Sequence, residues 1–329
     1  MIKLSKNSSF EKILLIVGDR IGDTIFCTPA VRLLKQSLPH VQFDALVFSQ
    51  GAAQVFTHNP DIHTIHVSKN RSVNTKISQQ YPLTINLIFE LQKETKYFKI
   101  PQKNYLSVGK PDFTKHRALQ ICEFVNSILE DKIEDFNKNY LIYPQVTDKD
   151  AIWTTLKQLG VNTSDTLIGI QLGCHRVARR GWKFWNRQRH RHKKIWDIEN
   201  YIALAKALYG SLPNCKLVIT GAMSERYLAT MFMNQVPQAI DLIGKTSVHE
   251  LAALMDILKV YITHDTGSLH LACARHTPLV TLFADTATPI EFTGPFPLQP
   301  QFSIIKKEYL SDISVNDVLV EVMNKVAVV

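Results

Sequence analysis

The sequence predicts an α/β protein of two doubly wound parallel-sheet domains. Strand-length apolar runs alternate with helical patterns through both halves of the 329 residues, and in each half one such run ends at an acidic, glycine-bearing turn that opens a helix. In the first half, Lys12 to Val17 ends at Gly18-Asp-Arg-Ile-Gly22-Asp23. In the second, the run from Val260 stops at Asp265-Thr-Gly267, restarts as a short helix to Arg275, and is followed by a strand pattern at Pro278 to Phe283.

The remaining elements follow in order. After the Gly18–Asp23 turn, Ile25, Val31, Leu34 and Leu38 fit one helical face, with Pro29 either opening the regular part after Thr28 or kinking it. Strand-like runs at 41–48, 62–67 and 83–89 alternate with helical stretches, the longest being 115–131. The periodicity lapses around Pro144 to Asp150, so the first domain is placed at 1–150 and the second at 151–313. The second half reads as helix 151–159, strand 167–172, helix 197–210, strand 216–220, helices 224–235 and 247–256, strand 259–263, helix 267–275 and strand 279–283. After a strand at 303–305, an amphipathic helix within 314–329 is expected to pack back on the N-terminal domain.

With 45% hydrophobic residues and no repeat or low-complexity tract, the chain is globular. Its apolar runs fall short of the roughly 20 residues a membrane span needs, and Gly18-Asp-Arg20 ends the N-terminal candidate for a signal, so a cytosolic location is expected. Cys27, Cys122, Cys174, Cys215 and Cys273 form no C-x-x-C pair and are an odd number, which argues for reduced thiols. The spacings of His190, His192, His264 and His270 are not those of a zinc site, and no metal is expected. The net charge of +9 has one address: nine Lys and Arg and no acid lie between Arg176 and Lys194. Setting them aside leaves 29 basic residues against 29 acidic ones.

A helix that begins right after a buried strand aims its free N–H groups and positive dipole end at the crevice, so the Asp265-Thr-Gly267 turn suits an anion such as a phosphate. The plainer reading makes Asp265 or Thr266 an ordinary N-cap and His270 an ordinary helical histidine. Paired sheet domains bind ligands at the carboxyl ends of their strands, where both acidic turns fall; Asp23 and Asp265 are therefore expected to face one cleft.

Val17-Gly-Asp-Arg-Ile-Gly22-Asp23-Thr-Ile-Phe-Cys-Thr-Pro29-Ala, with His264-Asp265-Thr-Gly-Ser-Leu-His270-Leu-Ala, closely resembles the bacterial lipopolysaccharide heptosyltransferases, glycosyltransferase family 9. The two motifs stand in the two predicted domains, as in that family. The resemblance implies a GT-B fold and metal-independent, inverting transfer without a cofactor. It also implies an ADP-heptose donor held by the second domain and a lipopolysaccharide precursor held by the first. By the same resemblance Asp23 is the general base, Asp265, Thr266, Gly267 and Ser268 form the loop on the donor phosphates and sugar, Glu225 binds the nucleoside, and His270 is the motif histidine. The chemistry agrees, because a single displacement needs one base for the acceptor hydroxyl while positive charge develops at the anomeric carbon. The competing readings are helix capping for Asp23 and a first-turn acid for Glu225. Asp148-Lys-Asp150 looks like a metal-dependent sugar-transferase motif, but its place in the linker reads as capping or solvation.

The family's basic residue two before a Trp has two candidates here, Lys183 before Trp185 and Lys194 before Trp196. Lys194 is favoured because a helix follows it directly. The segment 176–194, with Trp182, Phe184, Trp185 and Trp196 among its cations, suits an anionic lipid acceptor at the cytoplasmic face of the inner membrane. A nucleic-acid-binding module is the alternative of another class. Ala284-Asp-Thr286 stands where the family often has Gly-Pro-Thr, which opens the alternative of another nucleotide sugar.

Overall fold

The computed structural model describes residues 2–89, 104–174, 177, 194–286 and 288–327. The chain divides into two compact units, Met1–Tyr143 and Pro144–Val329.

The first unit is built on a parallel sheet. β1 (Lys12–Gly18) leads through α1 (Ile21–Ile25) and α2 (Thr28–Ser37) to β2 (Gln42–Val47), and α3 (Gln50–Phe56) leads to β3 (Thr64–Val67). Then α4 (Arg71–Ser78), β4 (Thr84–Asn86), β5 (Tyr105–Ser107) and α5 (Arg117–Ile128) follow. The strand order is β3-β2-β1-β4-β5, so the winding reverses between β1 and β4. Pro29 opens α2 within its first turn, where a missing N–H costs nothing, and the helical pattern after Gly22 is accordingly two short helices. The expected apolar face of Ile25, Val31, Leu34 and Leu38 is fully buried.

The second unit starts earlier than the sequence pattern suggests. α6 (Val146–Gln158) begins where periodicity lapses, because its opening is set by a polar contact: the Gln145 N–H donates to Asp148 Oδ2 at 2.7 Å. Residues 144–150 thus belong to this unit, and Asp148 is a cap. β6 (Thr166–Gln171), α7 (Ile198–Ser211), β7 (Cys215–Thr220), α8 (Arg226–Met233) and β8 (Ile240–Asp241) come next. They are followed by α9 (Val248–Met255), β9 (Val260–His264), α10 (Gly267–Ala274), β10 (Leu279–Ala284), α11 (Ile290–Thr293), β11 (Phe302–Lys307) and α12 (Val315–Ala327). All six strands are parallel in the order β11-β10-β9-β6-β7-β8, with the reversal between β6 and β9. Both faces of the sheet are covered, which is why β7, β9 and β10 read as continuous apolar runs rather than alternating ones.

The C-terminal helix α12 sinks Val318 and Val322 into the core of the second unit, with Leu319, Met323 and Val326 packed beside them. Trp196 fastens that region: the fully buried indole donates to the Ile313 carbonyl at 3.0 Å and meets the Tyr201 ring edge-on at 5.0 Å. Its place two residues after Lys194 ties the site segment to the core.

Among the described residues no helix is long and apolar enough to cross a membrane. All five cysteines are buried, and no disulfide links them.

Trp196→Phe keeps an aromatic ring but strands the buried Ile313 carbonyl, a loss of about 1–3 kcal/mol. Urea denaturation should show a lower midpoint at an unchanged slope; an unaltered midpoint would contradict the anchoring role.

Candidate active site

In the first unit the site lies at the end of β1, beside the point where the winding reverses. Gly18 adopts φ +127°, and a Cβ there would sit 3.2 Å from Thr24 Oγ1, so the turn into α1 needs glycine. Of the turn's two acids, Asp19 pairs with Lys69 at 3.0 Å, whereas Asp23 Oδ1 accepts from an Arg117 NH at 2.7 Å. The side chains of that second pair are 18% and 8% exposed, so the pair is largely shielded from water. Arg117 stands over the rings of Phe26 and Phe89, 5.5 Å from each centroid. The N-cap of α1 is Arg20, with no side-chain capping bond. The Asp23 carboxylate is therefore oriented by a guanidinium, a different use from the cap of the plainer reading.

In the second unit the corresponding reversal is between β6 and β9, and polar residues end the strands there. Glu225 is 4% exposed and lies in a short 3-10 turn after β7. Its Oε2 accepts from the Ala222 N–H at 3.0 Å and from Gln171 Nε2 at 3.1 Å. Two glycines make the space: a Cβ on Gly221, whose φ is +151°, would fall 2.6 Å from that oxygen, and one on Gly173 would fall 3.0 Å from Glu225 Cδ. Glu225 thus does serve its own turn as a first-turn acid while its carboxylate sits in a buried polar cluster.

The Asp265 turn is the other half of the site. Lys194 Nζ donates to Asp265 Oδ2 and to Thr288 Oγ1, both at 3.2 Å. Thr266 occupies the N-cap position of α10 without a side-chain capping bond, and no acid stands in the first turn. Its hydroxyl contacts those of Thr263 at 3.2 Å and Ser268 at 2.8 Å. The ordinary-cap reading of Thr266 therefore does not hold, and the N–H groups opening α10 retain their affinity for an anion. His270 is buried in α10 at 3% exposure. Asp285 and Thr286, at the departure from the family pattern, turn away to Lys306 and to the Glu308 carbonyl. Lys183, the second candidate for the pyrophosphate, lies outside the described residues, as does the basic segment apart from Val177 and Lys194. Among the described residues no group of three His, Cys, Asp or Glu is placed to hold a metal ion.

Residues 179–316 match the family model of glycosyltransferase family 9 (heptosyltransferase). Lipopolysaccharide heptosyltransferase 3 of Escherichia coli is 24% identical over 296 residues, which are 80% of this chain and 81% of the relative. Over these residues the chain is similar to glycosyltransferase family 9. The crystal structure of a family 9 glycosyltransferase from Veillonella parvula aligns with this transferase at a TM-score of 0.79 and 18% identity, covering 99% of this chain and 98% of that one. The E. coli heptosyltransferase WaaC with ADP-2-deoxy-2-fluoro heptose aligns at 0.65 and 16% identity, covering 95% and 99%. The fold class is GT-B.

Several residues beside these candidate groups escape sequence reasoning. Arg117 is the first residue of α5, where a cation opposes the helix dipole, and that anomaly is the signal that it serves something else. Gln171 and Thr220 each end an otherwise apolar strand, and Tyr261 lies inside one. Thr288 carries no sequence signal. His264, at the end of β9, is fully buried, its ring nitrogens have no hydrogen-bond partner among the described residues, and it lines a small cavity with Lys194, Asp265, Leu282 and Leu310. Burial pulls its pKa from 6.5 down to about 4, opposed by Asp265 and assisted by Lys194, so the imidazole is neutral at physiological pH.

The unfolded chain therefore takes up this proton near pH 6.5 and the folded one only near pH 4, so His264 costs stability as pH falls through that window. The slope is up to about 1.4 kcal/mol per pH unit. In thermal melts from pH 7.5 to 4, His264→Leu should lose less stability on acidification than wild type; parallel curves would show that His264 does not titrate in this way.

Proposed function

We propose that this transferase moves a heptose from ADP-heptose to the inner core of a lipopolysaccharide precursor, Kdo-lipid A or a heptosyl acceptor, with inversion at the anomeric carbon. The observation that carries the reading is the clustering, at the carboxyl ends of β6, β7 and β9, of a buried acid, a lysine and an uncapped helix start. These are the groups a nucleoside diphosphate sugar requires. Glu225 accepts from the ribose hydroxyls, and Lys194 with the N–H groups of Gly267 and Ser268 takes the diphosphate, whose charge grows as the glycosidic bond breaks. Asp265 and Thr266 order that turn and contact the sugar, and His270 supports it from α10. The names of the E. coli relatives, one a lipopolysaccharide heptosyltransferase and one bound to an ADP-heptose analogue, support the choice of donor and pathway.

Asp23 acts as general base. It removes the acceptor hydroxyl proton as the oxygen attacks the anomeric carbon, and the Arg117 contact holds one carboxylate oxygen so that the other is presented to the acceptor. Asp285, paired with Lys306 at the position where the family often has Gly-Pro-Thr, favours a second reading in which the donor carries another sugar.

The enzyme works at the cytoplasmic face of the inner membrane, where the nine cations of 176–194 attract anionic acceptor lipid by about 1 kcal/mol per basic residue at the surface.

Asp23→Ala and Asp23→Asn should each lower kcat by roughly 10²- to 10⁴-fold in heptose transfer from ADP-heptose, the range for general-base help. Wild-type activity in both variants would remove Asp23 from the mechanism. Sedimentation with liposomes should show binding that rises with anionic lipid and falls with salt; binding indifferent to both would refute the docking role of the segment.

A further inference from the structure

Gln171 ends β6 at 5% exposure, between the two groups of residues assigned to the donor. Its amide is committed on both sides. Nε2 donates to Glu225 Oε2 at 3.1 Å and to the Gly173 carbonyl at 2.9 Å. Oε1 accepts from Thr220 at 3.2 Å, Tyr261 at 3.3 Å and Ser268 at 3.4 Å. The orientation is dictated by these partners, since a reversed amide would turn its carbonyl onto a carboxylate and another carbonyl.

The backbone is shaped to permit this arrangement. Thr220 stands opposite Gln171 in the β6–β7 register, and Gly169 stands opposite Tyr261 in the β6–β9 register. A Cβ at Gly169 would lie 2.6 Å from Tyr261 Cδ2, so glycine is what lets that ring lie across β6 and bring its hydroxyl within hydrogen-bonding distance of Thr220 and Gln171. Burial raises the Tyr261 hydroxyl to about 12, so it remains a neutral donor.

Three hydroxyls thus converge on one carbonyl oxygen that has two lone pairs. Ser268 is the most distant of them and has a second partner in Thr266 at 2.8 Å. Thr220 and Tyr261 share a 2.8 Å bond, so one proton of that pair lies between them and the other goes to Gln171, and Ser268 is the hydroxyl that can turn to an incoming anion while that pair stays on Gln171.

We infer that Gln171 is a positioning residue that couples the nucleoside grip at Glu225 to the phosphate grip at Thr266 and Ser268, so that the donor's two ends are not bound independently. The inference rests on the donor assignment above. Removing either end loosens the amide, and removing the second then costs less.

The test is a mutant cycle read by isothermal calorimetry with ADP, using UDP and GDP as comparators. Glu225→Gln, Ser268→Ala and their combination are made with Gln171 present and again with Gln171→Met. With Gln171 present, the combined loss of ADP affinity should be smaller than the product of the single losses by about 3- to 30-fold, within the range for residues sharing one network. With Gln171→Met the losses should multiply. Losses that multiply in both backgrounds would overturn the coupling while leaving the donor assignment standing. A wild-type protein that binds none of the three nucleotides would overturn the donor assignment, and this inference with it. Where thermal melting shows Gln171→Met unfolded, Gln171→Asn replaces it. That variant keeps an amide but is one methylene shorter, so it cannot reach both Glu225 and the hydroxyls. The coupling should vanish while Ser268→Ala alone keeps its cost; undiminished coupling would again overturn the inference.

Discussion

Much of the second unit's site depends on one interaction: the buried polar side chains of Gln171 and Thr220 at strand ends, and of Tyr261 within a strand, find partners among themselves. β6, β7 and β9 are covered on both faces, so water cannot satisfy Gln171, Thr220 and Tyr261, and an unpaired group there would cost about 1–3 kcal/mol. They avoid that cost by bonding to one another and, through Gln171, to Glu225 and Ser268. The groups assigned to the donor are therefore held by the same bonds that make the core tolerable. A site built in this way is ordered before any ligand arrives, which lowers the entropy lost on binding.

The first unit solves a different problem with a similar economy. Asp23 leaves the end of β1 on a turn too tight for any residue but glycine at position 18, and a shielded carboxylate needs a countercharge. Arg117 supplies it from α5, steadied by two aromatic faces. The pairing also answers the unfavourable position of a cation at a helix start.

Much of this was legible in the chain. Apolar runs and period-3.6 patterns located most strands and helices of the second half to within two residues, because buried parallel strands are largely apolar and their helices carry one apolar face; the short β8 and α11 left no such pattern. Asp23 and Asp265 stand out in the chain because each lies at a strand-end glycine turn, whereas a role for Glu225 was implied only by the family resemblance. The start of α6 was not, since Asp148 sets it through one polar contact rather than through periodicity. Nor was the docking of α12, whose apolar stripe is compatible with either unit as a partner.

Sequence by itself determined which residues lie at the ends of strands, hence which can reach a crevice, because strand ends follow from local pattern and turn chemistry. Tertiary structure alone decided that Arg117 serves Asp23, that Lys194 meets Asp265 and Thr288, and that Gln171 joins Glu225 to Ser268. Those partners come from strands and helices up to 97 residues apart in the chain. Only strand order and register bring them within hydrogen-bonding distance, and neither is written in any local run of the sequence.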